Sequence, residues 1–395
     1  MLKYDAVIVG AGPIGGFISA EISRKNFKVA VFEKNKKIGE PVNCAGLIST
    51  RVFDFVKIQK QKVIQNEVKG AHIHSPSGKK LTIGGDKTHA LVIDRSIFDK
   101  EIIKTSEKKG SDVFLNDGVL SAQKINGKVE LKTSKNQDVK CKLVIGADGP
   151  FSKIRDRFAL PEPSEFLRGF GAEISNISLD PNFVEIFVGK SIAPGFFAWV
   201  IPTNRDGTEA RIGLCIYQKN AQPPKKYFSN FLKHEPSIKL LKDAKIDNYI
   251  GGIIPLGALK KTYASNAMIV GDAAAQVKPT SGGGIFPGLL CGKHCSSVAI
   301  ESLEKNNLSS SFLKKYHKLW STDIGRELFL GMKFRKIFKN LSDKQFDKYI
   351  EKFQHPKIID TITRYGDIDY PSKLVKPLLK NAPSLLKLIP SVIID

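Results

Sequence analysis

The sequence predicts an α/β fold in which a Rossmann-type dinucleotide domain is interrupted along the chain by an antiparallel-sheet substrate domain and followed by a helical C-terminal region. Three observations carry this. A complete β-α-β unit opens the chain: Tyr4 to Val9 is a short apolar run, Ile14 to Ser23 is apolar at helical spacing, and Lys28 to Phe32 is a second strand. Buried-strand patterns return at Leu143 to Ile145 and at Ala267 to Val270, each leading into a loop that pairs glycine with aspartate. Between about 165 and 260 the pattern is strand-like and aromatic, so sheet material is inserted between pieces of one nucleotide domain.

The elements follow in order. Ala6 to Ala20 is the most apolar stretch near the start, but Asp5 precedes it and Gly10, Gly12, Pro13, Gly15 and Gly16 interrupt it. That pattern is a strand, a turn and a helix rather than a signal segment. From Val63 to Val92 the residues alternate and carry the turn pairs Ser77-Gly78 and Gly84-Gly85, which predicts antiparallel strands. Asp94 to Lys109 reads as a helix, and Val113 to Val144 as strands punctuated by Asn126-Gly127. One helical insertion, near Lys225 to Lys233, interrupts the second sheet region, and a helix runs from Ile285 to about Leu303. From Asn306 onward the chain reads as helical and basic, with 17 Lys and Arg against 9 Asp and Glu. The expected units are 1–62, 88–160 and 263–305 for the dinucleotide domain, 63–87 and 161–262 for the sheet domain, and 306–395 for the helical region.

Charge is the unusual feature: 62 Lys and Arg against 39 Asp and Glu leave a net +23. Such a field attracts polyanions, whether nucleic acid, an anionic membrane surface or a phosphorylated substrate. The lysines are dispersed, and no zinc-finger, RRM or arginine-aromatic pattern is present, so no nucleic-acid partner is expected. Five cysteines without short-range pairing argue against a secreted disulfide scaffold. With no spanning segment either, the expectation is a cytoplasmic protein peripherally associated with an anionic membrane. Tyr370 to Ile394 suits that role: Lys373, Lys376, Lys380 and Lys387 alternate with leucines, and four prolines limit the segment to short basic amphipathic helices.

Gly10-Ala11-Gly12-Pro13-Ile14-Gly15 sits immediately after a strand and opens a helix. The first glycine makes the turn, the second admits a pyrophosphate to the backbone, and the third lets helix and strand pack closely. Glu33, followed by Lys34, ends the second strand, where a carboxylate accepts hydrogen bonds from ribose hydroxyls and disfavours a 2′-phosphate. Cys291, His294 and Cys295 have metal-like spacing, but they fall on a predicted helix and no second cluster completes a tetrahedral site, so no metal is expected.

Ile269-Val270-Gly271-Asp272-Ala273-Ala274, with Pro279 and Gly282-Gly283-Gly284, resembles the second FAD signature of flavoprotein hydroxylases. Val144-Ile145-Gly146-Ala147-Asp148-Gly149 resembles their Asp-Gly motif, and Arg95 with Phe98 fits their helix start. The likeness implies a hydroxylase-like, interrupted FAD-binding domain. The cofactor would be held by Gly10, Gly12, Pro13, Gly15, Glu33, Lys34, Cys44, Ala45, Arg95, Asp148, Gly149, Gly271, Asp272, Gly283, Gly284 and Ile285. Lys37 to Leu47, containing Pro41-Val42-Asn43-Cys44, and Ala193 to Pro202, containing Phe197-Ala198-Trp199, resemble segments of the archaeal geranylgeranyl reductase group. That likeness, over roughly residues 1 to 340, implies reduction of C=C bonds in geranylgeranyl chains of isoprenoid, archaeal-type membrane lipids. A hydride from flavin N5 would be coupled to protonation, with Cys44 as the candidate catalytic residue. Phe197 and Trp199 would contact the lipid, with Phe170, Phe187, Phe196 and Phe286 as further candidate walls.

Two departures stand out: Phe197 replaces the Tyr or Trp of many relatives, and the usual Gly-Glu-Gly after Cys44 is missing. The same wall also resembles the W-x-W-x-I-P of flavin-dependent halogenases through Trp199, Ile201 and Pro202, which keeps a monooxygenase or halogenase acting on a hydrophobic small molecule as the alternative. No second G-x-G-x-x-G follows a strand, so no dedicated nicotinamide domain is visible, and ferredoxin, NAD(P)H and a deazaflavin stay open as electron donors. A pairing of Cys44 with Cys291 would make a redox-sensitive clasp.

Overall fold

The computed structural model describes residues 1–217, 219 and 222–381. Five parallel strands form its central sheet in the order Ala267–Ile269, Asp138–Gly146, Leu2–Val9, Val29–Phe32 and Asp112–Phe114. The first strand of the chain is thus in the middle, and the strand order reverses across it. In doubly wound sheets the crevice beyond the strand ends at such a point is where a ligand binds. Leu2–Val9 is buried on both faces, with Ala6 and Ile8 in one apolar cluster and Val7 and Val9 in another.

On the first face, helices Pro13–Ser23, Arg95–Lys108 and Ile285–Glu304 share one core. Asp94 caps the second of them by accepting the Ile97 N–H at 2.9 Å, as its position before an apolar run predicts. The opposite face is covered by the meander Val119–Ile125, Lys128–Thr133 and Asp138–Gly146. Its first turn is Asn126-Gly127, both at positive φ, the conformation a tight hairpin needs.

The second sheet has seven strands, ordered Lys245–Leu256, Glu165–Ser175, Glu209–Tyr217, Phe197–Pro202, Phe183–Val188, Gly70–His74 and Lys80–Gly84. All neighbours are antiparallel except Phe183–Val188 with Gly70–His74. Two features differ from the sequence reading. The segment 63–87 is shared between two sheets, because Ile64–Val68 pairs with Ala90–Ile93 in a small three-stranded sheet completed by Leu47–Ser49. The helical insertion is also two helices, Pro224–Phe231 and Glu235–Leu241. Pro236 at the start of the second pre-sets a new first turn, where it would stop a helix already under way.

Helices Ser310–Trp320, Arg326–Asn340, Asp343–Phe353, Pro356–Tyr365 and Val375–Asn381 follow. They fasten to the antiparallel sheet through Arg335 to Glu165 at 3.0 Å, Asp343 to the Lys190 N–H at 2.6 Å, and Gln354 to the Lys80 carbonyl at 2.9 Å. Of the basic C-terminal segment, residues 382–395 lie outside the described residues. Among the described residues no helix is long and apolar enough to cross a membrane.

The parallel strand pair of the second sheet is joined by a buried carboxylate. Glu185 bridges His72 Nδ1 at 2.9 Å and His74 Nε2 at 2.5 Å, and the two imidazoles stack on Phe183 and Phe187. Burial raises the Glu185 pKa, but the hydrogen bonds from His74 and His72 outweigh it and hold the carboxyl below its ordinary value. The stability this contributes is present at neutral pH and is lost as pH falls below the unfolded carboxyl's value toward the depressed folded one. Glu185→Gln should therefore lose about 1–3 kcal/mol at pH 7 in a denaturant titration. The gap to the wild type should narrow in acid, and equal stabilities at pH 7 would contradict this account.

Candidate active site

At the end of Leu2–Val9 the backbone turns through Gly10 at φ +101°. A Cβ on Gly10 would stand 2.3 Å from the Ala147 carbonyl oxygen, and one on Gly15 would stand 2.0 Å from the Gly10 oxygen. Gly12 differs, since a Cβ there would meet nothing within 4 Å. It is the N-cap of Pro13–Ser23 and offers no capping side chain, so the N–H groups of the first turn face open space. Glu33 Oε2 accepts the Ala11 N–H at 2.9 Å and Oε1 the Asn35 N–H at 2.8 Å, which fixes the carboxylate beside that opening. Lys34 is exposed. Asp148 caps the short helix Lys153–Arg157 through Oδ2, at 2.8 Å from the Lys153 N–H, while its Oδ1 is buried with no hydrogen-bond partner among the described residues. Gly149 follows at φ +79° with open space around it.

The second half of the site is built on two turns. Gly271 at φ +65° opens the turn Gly271–Ala274, which presents Asp272. Gln276, wholly buried, accepts the Gly271 N–H at 2.8 Å and donates to the Tyr316 hydroxyl at 3.0 Å, which in turn donates to the Ile269 carbonyl. Sequence reasoning missed this brace, because it joins residues 40 apart. Burial pushes the Asp272 carboxyl up to about 6, against the opposing pull of Arg95. Next, Gly282 to Gly284 lead into Ile285–Glu304, whose N-cap Gly284 again has no capping side chain. A Cβ on Gly284 would stand 3.0 Å from Asp272 Oδ1, so Asp272 and this helix start face each other.

Arg95 is the cation of this half. It donates to Asp99 at 3.1 and 3.0 Å and lies close enough to Cys44 to interact with it electrostatically. Burial works against its charge, but Asp99 and Cys44 outweigh burial and hold it firmly protonated. The Cys44 sulfur also accepts the Gly46 N–H at 3.4 Å. The loop is locked from behind by the buried Arg211, which donates to the carbonyls of Ala45 at 3.2 Å and Ile93 at 3.0 Å. Cys44, Arg95 and Asp272 are thus brought together. All five cysteines are free; Cys291 and Cys295 are wholly buried in the core, and His294 pairs with Asp323 at 2.6 Å.

Beyond the glycine turn lies an apolar cavity of about 300 Å³. Pro279 and Thr280 bring the turn to its wall, Phe196 comes from the bend just before strand Phe197–Pro202, and Phe334, Phe338 and Leu378 come from the C-terminal helices. Gly331 lets helix Arg326–Asn340 reach Pro279, since a Cβ there would stand 2.9 Å from the proline ring. Phe197 stacks on Phe196 at 4.2 Å and meets Trp199 edge-on at 6.1 Å. Of the candidate walls only Phe196 lines this cavity: Phe197 and Trp199 stand behind it, Phe187 is wholly buried against His74 and Phe231, Phe170 packs on Phe228 and Tyr249, and Phe286 packs on Phe55 and Tyr370. Sequence reasoning missed the helical wall, although Phe334 and Phe338 recur at i and i+4 on one helix face, with Leu341 just past the helix end.

Open space at Gly12, the placed Glu33, the Asp272 carboxylate and a second uncapped helix start together fit a dinucleotide with one phosphate end and one flavin end. Residues 3–288 match the family model described as FAD binding domain. The chain is similar to digeranylgeranylglycerophospholipid reductase of Methanocaldococcus jannaschii, 33% identical over 97% of each chain. The same-named protein of Methanococcus vannielii is 32% identical over 98% of this chain and 97% of its own. Among solved structures, a geranylgeranyl bacteriochlorophyll reductase-like protein from Thermoplasma acidophilum has a TM-score of 0.87 and 26% identity, covering 99% of this chain and 100% of that one.

Two substitutions separate cofactor binding from folding. Gly12→Val is expected to leave the melting temperature of the apoprotein unchanged, because the site is open and φ is −72°, while FAD is no longer retained. Asp272→Asn should act in opposite directions on the two properties. The raised folded pKa means that the apoprotein gains stability as pH falls through about 6, so the neutral amide should stabilise the apoprotein at pH 7 by on the order of 1 kcal/mol. FAD affinity should fall about tenfold with the loss of charge-assisted hydrogen bonds. Calorimetry and a flavin-release titration read both effects, and an Asp272→Asn protein that is less stable as apoprotein would refute the electrostatic assignment.

Proposed function

We infer, for a chain that belongs to the FAD binding domain family and to the digeranylgeranylglycerophospholipid reductases, that it saturates C=C bonds of geranylgeranyl chains in isoprenoid membrane lipids. The observation that carries this reading is the apolar cavity of about 300 Å³ walled by the same Pro279-Thr280 segment that leads into the glycine turn. An isoprenoid chain can lie there out of water with a double bond brought to the cofactor end of the site. Gly12, Glu33, Arg95, Asp272 and the Gly283 to Ile285 helix start are the groups that would hold FAD. When bound and reduced, FAD supplies the hydride equivalent.

The chain's own residues have the remaining tasks. An isolated alkene has no neighbouring carbonyl to accept charge, so a proton must reach one carbon as hydride reaches the other. Cys44 is our proton source. Its sulfur accepts the Gly46 N–H, which leaves the S–H free to donate, and the Arg95 cation stays near the sulfur once the proton has gone. Phe196, Phe334 and Phe338 exclude water and align the chain, with Phe197 and Trp199 supporting Phe196 from behind. A net charge of +23 supports docking on an anionic membrane surface, where such lipids reside.

Anaerobically reduced holoprotein mixed with a geranylgeranyl lipid should return to the oxidised flavin spectrum without oxygen. Reoxidation that occurs only when oxygen is admitted would favour the monooxygenase or halogenase reading instead. In Cys44→Ser, flavin reduction should survive while lipid turnover falls about 10²-fold, the size of a lost general acid. Unchanged turnover would remove Cys44 from the mechanism.

A further inference from the structure

Lys278 lies between the two cofactor turns and is only 7% exposed. Its backbone N–H donates to the Gly283 carbonyl at 3.1 Å, and its side chain folds back over the same turn. A Cβ on Gly283 would stand 3.0 Å from Lys278 Cε and 3.5 Å from Nζ. The ammonium donates to Asp369 Oδ1 at 2.9 Å and to the Ile368 carbonyl at 3.0 Å. Asp369 is wholly buried, and its other oxygen accepts from Arg51 Nη1 at 2.8 Å and from the Ser49 hydroxyl. Arg51 also pairs with Asp367 at 2.8 Å, and the exposed Lys373 reaches the outer oxygen of Asp367 at 3.2 Å.

The inner group of Arg51, Lys278, Asp367 and Asp369 is balanced in charge. Its two innermost members are also its most buried, and little water stands between Lys278 and the glycine turn to screen it. Removing either charge therefore leaves an unbalanced one of known sign beside the turn. Asp369 further belongs to the segment that leads directly into Val375–Asn381, whose Val375, Leu378 and Leu379 line the cavity.

We propose that the Lys278–Asp369 ion pair is a positioning element that sets the reduction potential of the flavin while tying the cavity wall to the cofactor turn. Lys278 favours the extra negative charge of the reduced cofactor, and Asp369 moderates it. The assignment rests on the FAD-binding reading of the glycine turn but not on the lipid.

The test is an anaerobic, dye-equilibrated potential titration of the FAD-loaded full chain, with flavin content and melting temperature recorded for each variant. Lys278→Met should lower the reduced-to-oxidised ratio at a given potential at least tenfold, which is about 30 mV for a two-electron couple. Asp369→Asn should shift it in the opposite direction, the double variant should lie between them, and Lys278→Arg should keep the wild-type potential. Shifts of the same sign in both single variants, or none, would overturn the proposal and leave the pair as a structural tie. If one single variant fails to load FAD, the sign measured in the other decides. No lipid is needed, so a failure here is separate from failure of the reductase reading.

Discussion

Three loops meet at the C-terminal ends of the parallel strands because glycines there allow close approach. The Gly10 turn lies against the Ala147 carbonyl, Gly15 rests on Gly10, and Gly288 brings Ile285–Glu304 down onto Ile14 and the Gly271 turn. Any Cβ at these positions would intrude to within 3 Å of its neighbour. The contact leaves two helix starts, at Gly12 and Gly284, with unsatisfied N–H groups and no capping side chain. Elsewhere in the fold Asp94, Ser152, Ser309 and Ser342 satisfy such groups locally. The helix starts at Pro224, Glu235 and Arg326 also lack a side-chain cap, so what marks Gly12 and Gly284 is their place beside Glu33 and Asp272.

Around that constraint the charges are arranged by burial. Arg95 faces Asp99, Cys44 and Asp272 from one side. Lys278 and Asp369 brace the glycine turn from another, and Arg211 holds the Ala45 loop from behind. Arg95, Lys278 and Arg211 are long side chains whose cost of burial is offset by several hydrogen bonds. Arg335 at the cavity is less fully compensated: it donates to Glu165 and to the Gly195 carbonyl and its guanidinium lies over Phe196, but burial holds it below its ordinary pKa and its Nη2 has no hydrogen-bond partner among the described residues. These contacts join the parallel domain, the antiparallel sheet and the C-terminal helices at one place, where an apolar substrate and a charged cofactor have to meet.

Local signals made much of this legible in the sequence. A glycine-rich turn after a strand and an Asn-Gly pair each act within a few residues, and the structure has them where the sequence puts them. The parts that were not legible depend on residues far apart in the chain. Lys278 and Asp369 are 91 positions apart, and Glu165 and Arg335 are 170 apart, so neither member alone signals its partner. The cavity wall was misassigned for a related reason. Phe170 and Phe187 look like their neighbours in composition, and only the packing separates core aromatics from Phe196 and Phe338, which face the cavity.

In the proposed reaction the cofactor turn and the apolar cavity are two ends of a single site. A crystal structure of the FAD-loaded protein with a geranylgeranyl lipid tests this directly. The predicted result is an isoprenoid chain lying between Phe196 and Phe338, passing Pro279 and Thr280, with a double bond against the flavin ring. A chain bound elsewhere on the protein, with the cavity left free beside an occupied FAD site, would contradict it.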